Sequence, residues 1–146
     1  MLVAKIQSDL DSGLKARNET VVSTLRLLLS ELHNAKIAKG SDLTEEETTN
    51  LIMRETKKRR ESIEAFEKGN RADLVEKEKA ELVVLQSYLP KQLSEKGITE
   101  IVDSVINQLG AKSKADIGKV MGQVMAKVRG QADGNLVSNI VRGRLS

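Results

Sequence analysis

Apolar residues recur at three- and four-residue spacing along nearly the whole chain, and no apolar/polar alternation outweighs that period. This regularity predicts an all-α protein. Aromatic residues are nearly absent: Phe66 and Tyr88 are the only ones, with no Trp. The core therefore has to be built from Leu, Ile, Val, Met and Ala, which suits helices packed on helices.

Local punctuation divides the periodic pattern into elements. A first helix over 2–16 carries Leu2, Ile6, Leu10 and Leu14 at strict four-residue spacing, so its apolar stripe is broad. Asn18 is the expected N-cap of a second helix over 19–39. Val21, Val22, Leu25, Leu28, Leu29, Leu32 and Ile37 form its buried face, and Gly40 ends it. Thr44 with Glu47 has the form of a capping box, and three successive glutamates suit the positive end of a helix dipole. The helix they open should run to about residue 68. Its apolar positions, Leu51, Ile52, Ile63 and Phe66, leave a charged middle.

Gly69 is expected to end that helix and Asn70 to cap the next, which carries Leu74, Val75, Leu82, Val83, Leu85 and Leu89. Pro90 stops it, because the residue before a proline is pushed out of the helical region. Two helices separated only by Gly69 and Asn70 read as a long hairpin with a partly polar interface.

The stretch L-P-K-Q-L-S at 89–94 is the expected domain boundary. A chain of 146 residues accommodates one domain or two small ones. The expected division is an N-terminal helical domain over 1–92, containing the hairpin, and a C-terminal three-helix bundle over 93–146. The three helices are placed at 95–109, 114–128 and 135–145. Ser113 and Asp116 cap the second, and Asp133 or Gly134 opens the third. Ile98, Ile101, Val102, Val105, Ile106 and Leu109 form one wall of its core, and Leu136, Val137, Ile140, Val141 and Leu145 another.

The candidate functional stretch is D-I-G-K-V-M-G-Q-V-M-A-K-V-R-G-Q-A-D-G at 116–134. Gly118 and Gly122 lie four apart, hence on one face of one helix. Each glycine costs a helix about 1 kcal/mol relative to alanine. Two on one face let another backbone come close, either a packed helix or the sugar-phosphate chain of a nucleic acid. Lys119, Lys127 and Arg129 flank that face, and Gly130 and Gly134 bracket a turn. Gly118, Lys119, Gly122, Lys127, Arg129 and Gly130 are therefore the candidate nucleic-acid-binding residues. Charge agrees with this placement: residues 1–93 hold 16 basic and 16 acidic residues, whereas 94–146 hold 8 against 5. The whole excess of +3 lies in the last third.

Little in the chain points to catalysis. It has no Cys and a single histidine, His33, on an apolar-striped helix. Nucleotide-loop and nucleophile-elbow motifs are missing. Ser12-Gly13-Leu14-Lys15 matches S-x-x-K without any companion motif. Glu45, Glu46, Glu47, Glu61, Glu64 and Glu67 read as helix-start residues and partners of nearby cations. The run Lys57-Lys58-Arg59-Arg60 reads as a solvated face, since four successive helical residues point four ways. No catalytic residue, metal or cofactor is expected. The N-terminus does not resemble a signal peptide and no run approaches the ~20 apolar residues of a membrane span, so a cytoplasmic protein without membrane partners is expected.

Several segments together resemble one known family. They are T-L-R-L-L-L-S-E-L at 24–32, L-T-E-E-E at 43–47, R-E-T-K-K-R-R-E-S-I-E-A-F at 54–66, G-N-R-A-D-L at 69–74, Y-L-P-K-Q-L-S at 88–94, and the stretch from Ser113 to Gly134. The chain is similar to YqeY-like proteins of the GatB/YqeY family. Gly97 departs mildly from that pattern, at the start of a helix. The resemblance implies a helical hairpin followed by a three-helix bundle. It also implies kinship with the C-terminal tail of the B subunit of the tRNA-dependent amidotransferase, a tRNA-contacting appendage. A label such as carbon–nitrogen ligase with glutamine as amido-N-donor attaches through that kinship, while this chain resembles the appendage alone. Two functions follow as expectations. One is a non-catalytic tRNA-binding or accessory module, with tRNA, amidotransferase or aminoacyl-tRNA synthetase components as partners. The other is a helical protein–protein adaptor with no nucleic-acid role.

Overall fold

The computed structural model describes residues 1–145. Among these the chain forms seven α-helices and no strand, so it is all-α as its periodicity predicts. Contacts divide it into two compact units, Met1–Leu89 and the chain from Pro90 onward.

The first unit contains α1 (Leu2–Lys15), α2 (Glu19–Lys39), α3 (Glu45–Lys68) and α4 (Ala72–Gln86). Its core is Ile6, Leu10, Leu25, Leu28, Leu32, Leu51, Ile52 and Leu85. On α1 the buried stripe runs Ile6, Leu10, Gly13, and Leu14 turns outward. Four-residue spacing overshoots the 3.6-residue turn, so the face passes to the position before Leu14. A Cβ at Gly13 would come within 2.9 Å of Val21 Cγ1, so the missing side chain allows α1 to approach α2.

The caps form where local chemistry puts them. Asn18 Oδ1 accepts the Val21 N–H at 3.2 Å. The Thr44 box closes both ways, with Glu47 N–H donating to Thr44 Oγ1 at 3.1 Å and Thr44 N–H to Glu47 Oε1 at 3.0 Å. The Lys39 ammonium also bonds Glu47, and this bond, followed by the Thr44 N–H, holds the Glu47 carboxyl at about 2 against an ordinary 4.5. A folded-state value below the unfolded one stabilises the fold above pH ~4.5, and that contribution is lost as pH falls toward 2. Glu47→Gln should therefore flatten the acid limb of a thermal-stability profile in that window. An acid limb identical to the parent's would show that the box adds nothing.

Asn70 does not cap α4. It adopts φ +57° and ends α3: its N–H donates to Glu67 O at 3.2 Å and the next N–H, of Arg71, to Phe66 O at 2.9 Å. That is a Schellman closure with Asn70 in the left-handed position usually held by glycine. Arg71 then precedes α4 without a side-chain cap.

Four further expectations are corrected. Ile37 and Val83, assigned to apolar faces, are 65% and 66% exposed, and Leu109 is also exposed. Arg59 is not part of a solvated face. It turns inward between α3 and α4, with Nη1 3.1 Å from Glu78 and 3.0 Å from the buried Glu81. Its neighbours diverge: Lys58 pairs with Glu55 and Arg60 is exposed. Near the end of the unit, the Tyr88 hydroxyl donates to Asp9 Oδ2 at 2.6 Å. Burial, reinforced by that carboxylate, holds the phenol well above its ordinary value.

The second unit contains α5 (Glu95–Leu109), α6 (Ile117–Lys127) and α7 (Gly134–Arg144), each of which touches the other two. Its core is Ile98, Val102, Val105, Val120, Val124, Val128, Ala132, Val137, Val141 and Leu145. Valine dominates. Each fully buried valine contributes about 1.5 kcal/mol or more, and short side chains let three short helices pack closely. Ser94 Oγ accepts the Gly97 N–H at 3.1 Å, so α5 begins normally despite Gly97. A single 3₁₀ turn, Lys114–Asp116, precedes α6 where a continuous α-helix was expected. Asp133 caps α7 through the Asn135 N–H.

Candidate nucleic-acid interface

At about 100° per residue, α6 has three surfaces. Val120 and Val124 point into the core and Val128 continues that line at the C-cap. Met121 and Met125 are half-buried along one edge. Opposite the core, Gly118, Gly122 and Ala126 form an exposed strip, with Lys119, Gln123 and Lys127 exposed beside it.

The strip is bare. A Cβ built on Gly118 or Gly122 would have no neighbour within 4 Å. Close helix–helix packing, the first of the two explanations for these glycines, therefore does not occur among the described residues of the second unit. Their helical cost has no return in packing within the second unit, among the described residues. Gly118→Ala and Gly122→Ala should each raise stability, by about 0.5–1 kcal/mol. Chemical denaturation measures this directly, and a destabilised alanine variant would contradict the open strip.

Past α6 the backbone reverses in a tight turn. The Gln131 N–H donates to Val128 O at 2.7 Å, and Gly130 has φ +71° while Arg129 keeps a negative φ. Those signs define a type II turn, in which the third position requires the left-handed conformation that glycine supplies. No acceptor among the described residues takes the N–H of Arg129 or of Gly130. Successive free N–H groups at a turn make an anion-binding concavity.

The candidate cations are free to act outward. Lys119, Lys127 and Arg129 are exposed and form no ion pair among the described residues. Lys119 and Lys127 are about 12 Å apart along the helix axis at 1.5 Å per residue. The candidate residues thus form a line along α6 ending at the turn, and not a pocket.

Chain segments outside the candidate set support the turn. Gln92 Nε2 donates to Gly130 O at 2.7 Å and to Pro90 O at 2.9 Å, and the Leu93 N–H donates to Gln131 O at 2.8 Å. In the sequence these residues show as a boundary and as part of one family-like segment, with no role attached to Gln92.

No catalytic group is assembled by the acids and the histidine. His33 is exposed on α2. Glu47 serves the capping box, and Glu45 accepts the Leu2 N–H at the start of α1. A cleft of about 320 Å³ in the first unit is lined by Glu31, Asn34, Ala35, Leu51, Arg54, Glu55 and Lys58, which include no nucleophile with a base. Among the described residues no three His, Cys, Asp or Glu side chains are gathered to hold a metal. Among the described residues no helix is long and apolar enough to cross a membrane.

Fold and surface together define an all-helical protein whose C-terminal unit displays a cationic, glycine-faced helix. The family description "Yqey-like protein" matches residues 3–145, and the chain belongs to that family. A relative from Pyrenophora tritici-repentis, named "Altered inheritance of mitochondria protein 41, mitochondrial", is 33% identical over 97% of this chain and 80% of its own length. A protein of the same name from Saccharomyces cerevisiae is 28% identical over 84% of this chain and 69% of its own length. A component of the glutamyl-tRNA(Gln) amidotransferase from Thermococcus gammatolerans is 37% identical over 56% of this chain, a match that spans only 14% of that longer protein. Kinship with an amidotransferase component therefore holds.

The cytoplasmic expectation does not stand, because relatives matched over most of this chain are named mitochondrial. A chain without cysteine or a membrane-length apolar run suits the interior of an organelle as well as the cytosol, so those features never discriminated between them.

Proposed function

We propose that the protein is a non-catalytic tRNA-binding module, an accessory of the amidotransferase type, and that α6 and the following turn are its contact face. Gly118 and Gly122 admit the sugar-phosphate backbone, Lys119, Lys127 and Arg129 neutralise phosphates, and the Gly130 turn donates backbone N–H groups. One observation carries this reading: two helical glycines face open space beside three exposed cations without ion-pair partners among the described residues. Support also comes from the relative named as part of a glutamyl-tRNA(Gln) amidotransferase.

Recognition is by shape and phosphate. RNA duplexes are read through phosphates and 2′-hydroxyls across a shallow groove. The chain from Gly118 to Gly134 holds no aromatic residue on which bases could stack. The second reading, an adaptor that receives a partner helix on the same strip, draws on Met121 and Met125 at its apolar edge. Salt separates the two. Phosphate contacts release counterions, so tRNA affinity should fall steeply and linearly on a log–log salt plot. Failure to bind tRNA at low salt, or binding insensitive to salt, sinks the RNA reading and leaves the adaptor.

A further inference from the structure

The strap formed by residues 90–93 has a consequence for the turn it holds. The Gly130–Gln131 peptide is fixed at both ends: its carbonyl accepts from Gln92 Nε2 at 2.7 Å and its N–H donates to Val128 O at 2.7 Å. The following carbonyl, of Gln131, accepts the Leu93 N–H at 2.8 Å. Gln92 is itself aimed by a second bond, to Pro90 O at 2.9 Å. Two successive peptide planes are thus pinned, directly after the two whose N–H groups, of Arg129 and Gly130, find no acceptor among the described residues.

We propose that Gln92 is a positioning residue for the phosphate-binding turn: it presets the Gly130 turn so that the free N–H groups stand ready for an anion. This rests on the phosphate-binding reading of the face and adds to it a residue outside α6 that carries no charge. Holding the turn before ligand arrives lowers the ordering cost of binding. The short segment that begins the second unit thereby becomes part of the binding device. Arg129 lies in the same turn and Lys127 just before it, so a preset backbone also limits the space their side chains sample.

The test is Gln92→Met, close in size, uncharged and without an N–H donor. Binding of unmodified tRNA is measured over a salt series for the parent, for Gln92→Met and for the Lys119→Ala/Lys127→Ala/Arg129→Ala variant, with amide NMR spectra of the full chain. Gln92→Met should bind about tenfold more weakly, the upper end for one lost neutral hydrogen bond. Its log–log salt slope should equal the parent's, because no cation has been removed. The Gly130 and Gln131 amide signals should move while those of Val120, Val124, Val137 and Val141 stay in place. A merely structural loss would instead shift the core signals. Parent-like affinity of Gln92→Met, beside a weakened charge variant, overturns the role of Gln92 and leaves the RNA reading standing. A charge variant that binds like the parent overturns the RNA reading, and this inference with it.

Discussion

Arg59→Ala should lower the unfolding free energy by about 3 kcal/mol, the low end of the range for removing one partner of a buried ion pair. Its side chain is 17% exposed, and those of Glu78 and Glu81 are 15% and 9% exposed. One guanidinium nitrogen serves both carboxylates, so its loss strands two negative charges between α3 and α4. Most of the cost is that desolvated, unpaired charge and not the lost bonds. The arginine is also imperfectly satisfied, since its Nε is buried without an acceptor among the described residues. Adding Glu78→Gln and Glu81→Gln to Arg59→Ala should recover more than half of the lost stability. Urea unfolding of the three proteins decides it. A single variant within ~0.5 kcal/mol of the parent would mean that water reaches the cluster and screens it.

The second large effect is on binding. Replacing Lys119, Lys127 and Arg129 together by alanine should cut tRNA affinity about a hundredfold at ~0.1 M salt and flatten the log–log salt slope by about 2–3. The fold should survive, because all three side chains are exposed and none is in an ion pair among the described residues. Helical circular dichroism and the melting transition provide that control. An unchanged slope in the variant would place the phosphate contacts elsewhere on the molecule.

Cap chemistry made most of the fold legible. Asn18, Thr44, Ser94 and Asp133 each accept a nearby backbone N–H, and that signal is local. Asn70 shows the limit of such reading. Asparagine both caps N-termini and tolerates the left-handed conformation, and here the closing bonds of the preceding helix select the second role. Arg59 was hidden in a run of four cations. Which of the four turns inward depends on Glu78 and Glu81 on the next helix, not on its own neighbours.

The candidate face was legible in the same partial way. Spacing puts Gly118 and Gly122 on one face, yet spacing cannot tell whether that face is covered. The core positions of Val120 and Val124 settle it, by turning the glycines away from α5 and α7. Spacing gave no role to Gln92, because its one bond to the turn reaches 38 positions along the chain.

An NMR titration of the isotopically labelled protein with tRNA tests the central claim most directly. The amide signals of Gly118, Gly122, Arg129 and Gly130 should shift or broaden first and recover as salt is raised. Perturbations confined to other surfaces, or none at these four positions under saturating tRNA, would contradict it.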